Sequence, residues 1–212
     1  MTETADIQEN AVGQDDGAAK LSAIEKRIAA AKRAKLALEA RDDFLKFVKF
    51  TMPDIEDPEN VDLSTFKDAK HHRALAKVLE KVEKGHIPRL IVTLPPRHGK
   101  TELISRRFIP WLLGRDEYRN IIFATYNEPF SQDIGSDCRA IMQSPAFKQV
   151  FPKFRFRAGG LSKEKLQSGA GGMAAFVGGV VGDASGYVAS FALATLISGV
   201  GCLLLVMRDR KS

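Results

Sequence analysis

Leu94-Pro95-Pro96-Arg97-His98-Gly99-Lys100-Thr101 is the stretch whose reading decides the fold. Its last three residues complete the phosphate-binding pattern G-x-x-x-x-G-K-[ST], with Leu94 standing where that pattern opens on glycine. Before it, Arg89-Leu90-Ile91-Val92-Thr93-Leu94 is β-branched and apolar without alternation. Such a run predicts a central strand covered on both faces. After it, Ile104, Phe108, Trp111 and Leu112 share one side of a helix that ends near Gly114. Pro110 either kinks that helix or marks its last turn.

Strand, glycine turn and helix in this order suit an anion. Gly99 permits a turn that aims backbone N–H groups inward, at the positive end of a helix. Lys100 reaches β- and γ-phosphates, and the Thr101 hydroxyl can ligate Mg²⁺. Arg97 adds a forked donor for phosphate oxygens, suited to act as an arginine supplied in cis. Pro96 and His98 complete the cradle, His98 as a local hydrogen-bonding residue rather than a base. The expected cofactors are ATP and Mg²⁺. The competing reading is a basic loop that ends in Gly-Lys-Thr by chance.

Downstream, Asn120 to Tyr126 predicts a second strand, with Asn127 capping the helix that follows. Phe130, Ile134, Cys138, Ile141 and Met142 line one side of that helix, which makes Cys138 a buried thiol. Alternating strands and helices predict an α/β domain with a mainly parallel sheet. Upstream, Leu75, Val78, Leu79 and Val82 form the apolar stripe of a helix from about Asp68 to Lys84, stopped by Gly85. His71 and His72 are adjacent on it and do not form a paired metal site; each is hydrogen-bonding or exposed. Residues 52–62, with two prolines and five acids, read as a loop.

The ends differ in character from this body. The 212 residues carry a formal charge of +6, yet residues 1–19 contain five acids and no Lys or Arg. That segment, 1–19, is expected to be a disordered acidic tail. Residues 20–62 form a helical arm and linker, opened by a Ser22/Glu25 capping box. Leu21, Ile24 and Ile28 lie on one side of the arm, which either rests on a subunit or DNA surface or is a solvated helix with one packed stripe. Phe44, Leu45, Phe47, Val48 and Phe50 are expected to join the core. The basic body favours an anionic partner such as double-stranded DNA.

Beyond Pro145, Phe147, Phe151, Phe154 and Phe156 alternate with basic residues, either as a nucleic-acid contact or as anchors of a hairpin or short strand. Met173 to Val177 reads as a short strand. Residues 159–201 hold 11 glycines. The two cysteines, Cys138 and Cys202, make no disulfide scaffold, and no secretory signal is read at the N-terminus.

The stretches LIVTLPPRHGKTELISRRFIPWLLGR and NIIFATYNEPFSQDIGSDCRAIMQSPAFKQVFP resemble the ATPase domain of tailed-phage terminase large subunits, across residues 42–182 or so. The resemblance implies a RecA-like P-loop NTPase, a three-layer α/β sandwich, in residues 63–182. It implies ATP hydrolysis that drives DNA packaging, with portal protein, small terminase subunit and a homo-oligomeric ring as partners. It also implies the cytoplasm of a bacterial host as the location, with the gene carried by a phage or prophage. Arg97, Gly99, Lys100 and Thr101 match the family's phosphate contacts, and Thr125, Tyr126 and Asn127 match its short polar motif. The family's adenine-contacting region precedes the loop, around His71, with no base-binding residue assigned.

This sequence departs from the family after Phe176-Val177-Gly178-Gly179. The family continues into a hydrophobic strand ending in two acids, the second Mg²⁺ and water-activating site, and then into an RNase H-like nuclease. Here Asp183 ends no hydrophobic strand, and Asp209 stands alone in a basic tail. The expectation is a truncated or frame-shifted, incomplete domain that binds ATP but hydrolyses it poorly. Residues 183–212 form an atypical hydrophobic tail, in which 187–207 has the length of a membrane-spanning helix. The rival readings are a membrane-tethered small P-loop protein and a non-catalytic remnant that binds DNA or a capsid partner.

Overall fold

The chain was analysed as a computed structural model that describes residues 3–57, 60, 63–125, 127–178 and 202–207, with side chains between residues 20 and 178. The first element is a helix, α1 (Glu3–Asp42), which begins inside the segment expected to be disordered. Its Ala, Leu, Lys and Glu content favours uninterrupted helix. Asp43 then adopts an extended backbone, and its side chain accepts from Lys46 N–H, capping α2 (Phe44–Phe50). Phe44, Phe47 and Val48 are fully buried, as expected of that cluster.

After an irregular stretch, α3 (Lys70–Glu83) packs Leu75, Ala76 and Leu79 into the core. It ends in a Schellman turn: Gly85 N–H donates to Val82 O at 3.0 Å and His86 N–H to Lys81 O at 2.9 Å. Gly85 has φ +78, a left-handed conformation that glycine adopts without strain.

The expected single helix after the phosphate loop is divided. Thr101–Arg107 is wound as a π-helix and runs into α4 (Phe108–Arg115). Pro110 accounts for the change of winding, since it cannot donate to Arg106 O and its ring crowds that carbonyl. Cys138 approaches the loosened carbonyls instead, its Sγ 3.3 Å from Ser105 O and 3.7 Å from Arg106 O. Trp111 and Phe108 meet Phe44 with ring centroids 5.3 Å apart in each case, and Trp111 Nε1–H donates to Ala40 O at 3.2 Å. These contacts fasten α4 to the junction of α1 and α2.

The remaining elements are β1 (Asn120–Thr125), α5 (Glu128–Gln143), α6 (Pro145–Val150), β2 (Phe156–Leu161), β3 (Lys165–Ser168), β4 (Met173–Gly178) and β5 (Cys202–Met207). The strands form one sheet in the order β2-β3-β4-β1-β5. Only β1 and β4 run parallel, with Asn120 beside Met173 and Thr125 beside Gly178. The β2–β3, β3–β4 and β1–β5 pairs are antiparallel. The sheet is therefore mixed rather than mainly parallel, because β2–β4 return through short turns instead of crossover helices. Ile121, Phe123, Leu166, Ala174 and Phe176 are buried on it, with α5 packed against β4 and β1.

Two further expectations are corrected. Arg89–Leu94 is not a central strand: it belongs to no ladder, Ile91 is 90% exposed, and only Val92 and Leu94 pack partly against the core. Both edges of β1 are taken, one by β4 and the other by β5, so the run lies outside the sheet. The phenylalanines after Pro145 are core and not a nucleic-acid platform. Phe147, Phe151 and Phe154 are buried, and Phe47 stands 6.2 Å from the Phe147 ring and 5.9 Å from that of Phe151. Together these elements make a mixed α/β fold of helices and a small sheet.

Candidate functional site

The phosphate-binding candidate is a turn between extended chain and helix. Pro95 and Pro96 lead into Arg97, which holds φ +63, and Gly99 follows with φ +73. Two left-handed residues one apart bend the chain sharply enough for successive N–H groups to face one side. Lys100 caps the π-helical turn in a right-handed helical conformation, and Leu103 N–H makes the first backbone bond, to Gly99 O at 3.0 Å. The N–H groups of Lys100, Thr101 and Glu102 precede that bond and belong to the open, positive end of the helix. Pro96, Arg97 and His98 are exposed, while Gly99, Lys100 and Thr101 are half-buried.

The turn is braced by residues the sequence reading left in general roles. His72 Nδ1 accepts from Ala69 N–H at 3.1 Å, so the neutral ring carries its proton on Nε2 and donates to His98 O at 3.1 Å. The His98 ring donates in turn through Nδ1 to Pro96 O at 2.8 Å, the local role expected of it. His71 stacks beside both, its ring centroid 4.0 Å from that of His72 and 5.7 Å from that of His98. The three imidazoles form a brace between α3 and the loop. A signal was present in the sequence, since His72 stands at the third helical position, where a side chain can reach back to the cap. Among the described residues, no group of three His, Cys, Asp or Glu side chains has metal-site geometry.

The helix that follows is anchored by charge. Arg107 Nε donates to Glu102 at 2.6 Å and its Nη1 to Thr51 O at 2.9 Å. Arg106 Nε donates to Asp137 at 2.6 Å and its Nη1 to Glu102 at 3.3 Å. Asp137 lies on α5, so the helix after the loop and the helix after β1 hold a fixed relation. Arg106 is held above its usual range by its two carboxylate partners, against the opposing effect of burial. Glu102 is thus occupied by arginines on its own helix.

The polar motif lies at the C-terminal end of β1. Thr125 is buried, and its Oγ1 accepts from Asn127 N–H at 3.4 Å. Asn127 Oδ1 accepts from Phe130 N–H at 3.2 Å, the helix-capping role read from sequence. Gly178, at the end of β4, allows close approach: a Cβ there would fall 2.3 Å from Glu128 Cα. Tyr126, Asp183 and Asp209 lie outside the described residues. Thr101 remains the metal-ligating candidate, with its hydroxyl at the helix mouth.

Residues 202–207 form strand β5, so the last six positions of the 187–207 span do not continue a membrane-crossing helix. Among the described residues, no helix is long and apolar enough to cross a membrane. No protein-family model, no curated protein and no solved structure matches this chain.

Proposed function

We propose that the turn from Pro95 to Thr101 holds the triphosphate of ATP with Mg²⁺, and that the chain is the nucleotide-binding part of a phage DNA-packaging terminase large subunit. The observation that carries this reading is the paired left-handed geometry of Arg97 and Gly99, immediately before a helix start that bears Lys100 and Thr101. Backbone N–H groups and the positive helix end supply the anion cradle. Lys100 neutralises the outer phosphates, Thr101 orients Mg²⁺ and Arg97 lies exposed where it can close over the γ-phosphate. In this reading the fold is an incomplete RecA-like domain.

Turnover is slow in this proposal. Glu102 is held by Arg106 and Arg107, and no acid follows β4 at the end of a hydrophobic run in the sequence. Water activation in phosphoryl transfer needs a positioned acceptor. DNA, the portal and the small subunit enter as partners through the resemblance, together with a bacterial cytoplasmic setting.

The test is ATP affinity and turnover for the wild type beside Lys100→Ala. Binding lost by tenfold or more in the variant, with negligible hydrolysis in both proteins, is the expected result. Equal ATP affinity in the two proteins would remove the reading, and turnover at ordinary ATPase rates would show that the acid resides elsewhere.

A further inference from the structure

Helix α1 presents a second surface, remote in sequence from the loop. It meets the body near its C-terminal end, where Ala37 and Ala40 are buried and Arg33 Nε donates to Gln149 Oε1 at 2.8 Å. Residues 20–32 are exposed throughout. At 1.5 Å per residue they extend the helix by about 20 Å beyond those contacts.

An apolar seam runs along this extension. Leu21, Ile24, Ile28 and Leu38 are 64%, 51%, 62% and 57% exposed. With Ala31 and Lys35 they recur at alternating spacings of three and four, the repeat that places a seam along one side of paired helices. At about 100° per residue the six positions fall within an arc of about 100°, centred opposite the side that carries Ala37 and Ala40. The helix therefore packs on the body by one side and turns an unpartnered apolar stripe the other way.

Charge along the same helix selects the occupant. Residues 3–16 contain five acids and no Lys or Arg, whereas residues 20–35 contain six basic residues and one acid. Parallel copies would set each charged half against its own sign. Antiparallel copies set opposite signs together. In the antiparallel register that faces Ile24 with Ile28 of a second copy, Leu21 faces Ala31. Asp15 and Asp16 then lie across from positions 37 and 36, within about one turn of Arg33 and Lys35. We infer that α1 pairs antiparallel with α1 of a second copy of this chain through Leu21, Ile24, Ile28 and Ala31. Nucleic acid fits the stripe poorly, because phosphate contacts need no apolar seam and the acidic half of the helix repels a polyanion.

Sedimentation velocity of the full chain tests the pairing. The wild type is expected to sediment at twice 23.3 kDa. The double variant Ile24→Glu/Ile28→Glu is expected to sediment as a monomer with unchanged circular dichroism and Tm, since both side chains are exposed. Orientation is read by mixing a Leu21→Cys chain with an Ala31→Cys chain under mild oxidation, where unlike chains should cross-link. A monomeric wild type at 100 μM, a dimer that survives the double variant, or cross-links between like chains would each overturn the inference. So would an assembly that appears only when a DNA duplex is added.

Discussion

His72 Nε2 lies where it would meet any side chain placed on Gly99: a Cβ at that glycine would stand 2.8 Å from the imidazole nitrogen. The same nitrogen donates to His98 O, so the brace and the glycine requirement are one arrangement. The loop closes on the ring because position 99 has no side chain.

Gly99→Ala therefore opposes both the contact and the φ of +73. The left-handed backbone alone costs about 1–2 kcal/mol for an L-residue. Urea unfolding should show that loss, and ATP affinity should fall by tenfold or more as the cradle opens. An alanine variant with wild-type affinity would show that the turn does not shape the site.

Asp68 links α2 to the start of α3, with Lys49 Nζ 2.5 Å away and Arg73 on its other oxygen. The hydrogen bonds from Lys49 and then Arg73 hold its carboxyl at about 2, below the ordinary 3.8. A depressed carboxylate stabilises the fold above the unfolded value and loses that contribution as pH falls through the folded one. The window is thus from about pH 4 to about pH 2. Complete transfer of the shift would give about 2.4 kcal/mol. Lys49 and Arg73 are each substantially exposed, which brings the expectation nearer 1 kcal/mol. Asp68→Asn should be less stable by that amount at pH 6 and match the wild type at pH 2. A difference that persists unchanged at pH 2 would show that the ion pairs are not its source.

Cys138 is fully buried, and burial followed by the neighbouring Asp137 charge pushes its thiol well above the ordinary range. In a Cys202→Ser background the native protein should leave an aromatic disulfide reagent unreacted, and one thiol should titrate in concentrated guanidinium. Rapid native labelling would mean that α5 and the π-helical turn part from each other readily.

Strand β5 places Leu204 beside Phe123 and Leu205 beside Ile122. Along an antiparallel edge strand, successive N–H groups point alternately to the ladder and away from it. One of Leu204→Pro and Leu205→Pro should remove a β1 bond and cost about 1–3 kcal/mol, while the other is milder. Thermal unfolding of the two single variants reads the contrast. Equal and negligible effects would mean that β1 does not depend on this strand.

Local patterns in the sequence determined the helices and their ends. The stripe of α3, the Gly85 stop and the Asn127 cap each follow from residues within one or two turns. So do the buried cluster at Phe44 and the handedness demanded at Gly99, because helix periodicity, capping and φ are short-range properties. Tertiary structure alone decided the rest. Arg89–Leu94 has strand composition, but a strand requires an unoccupied neighbour, and β4 and β5 fill both sides of β1. The phenylalanines after Pro145 and the three-histidine brace depended in the same way on partners tens of residues distant. A residue's own chemistry sets which contacts it can make, and the packing of the whole chain sets which of them are within reach.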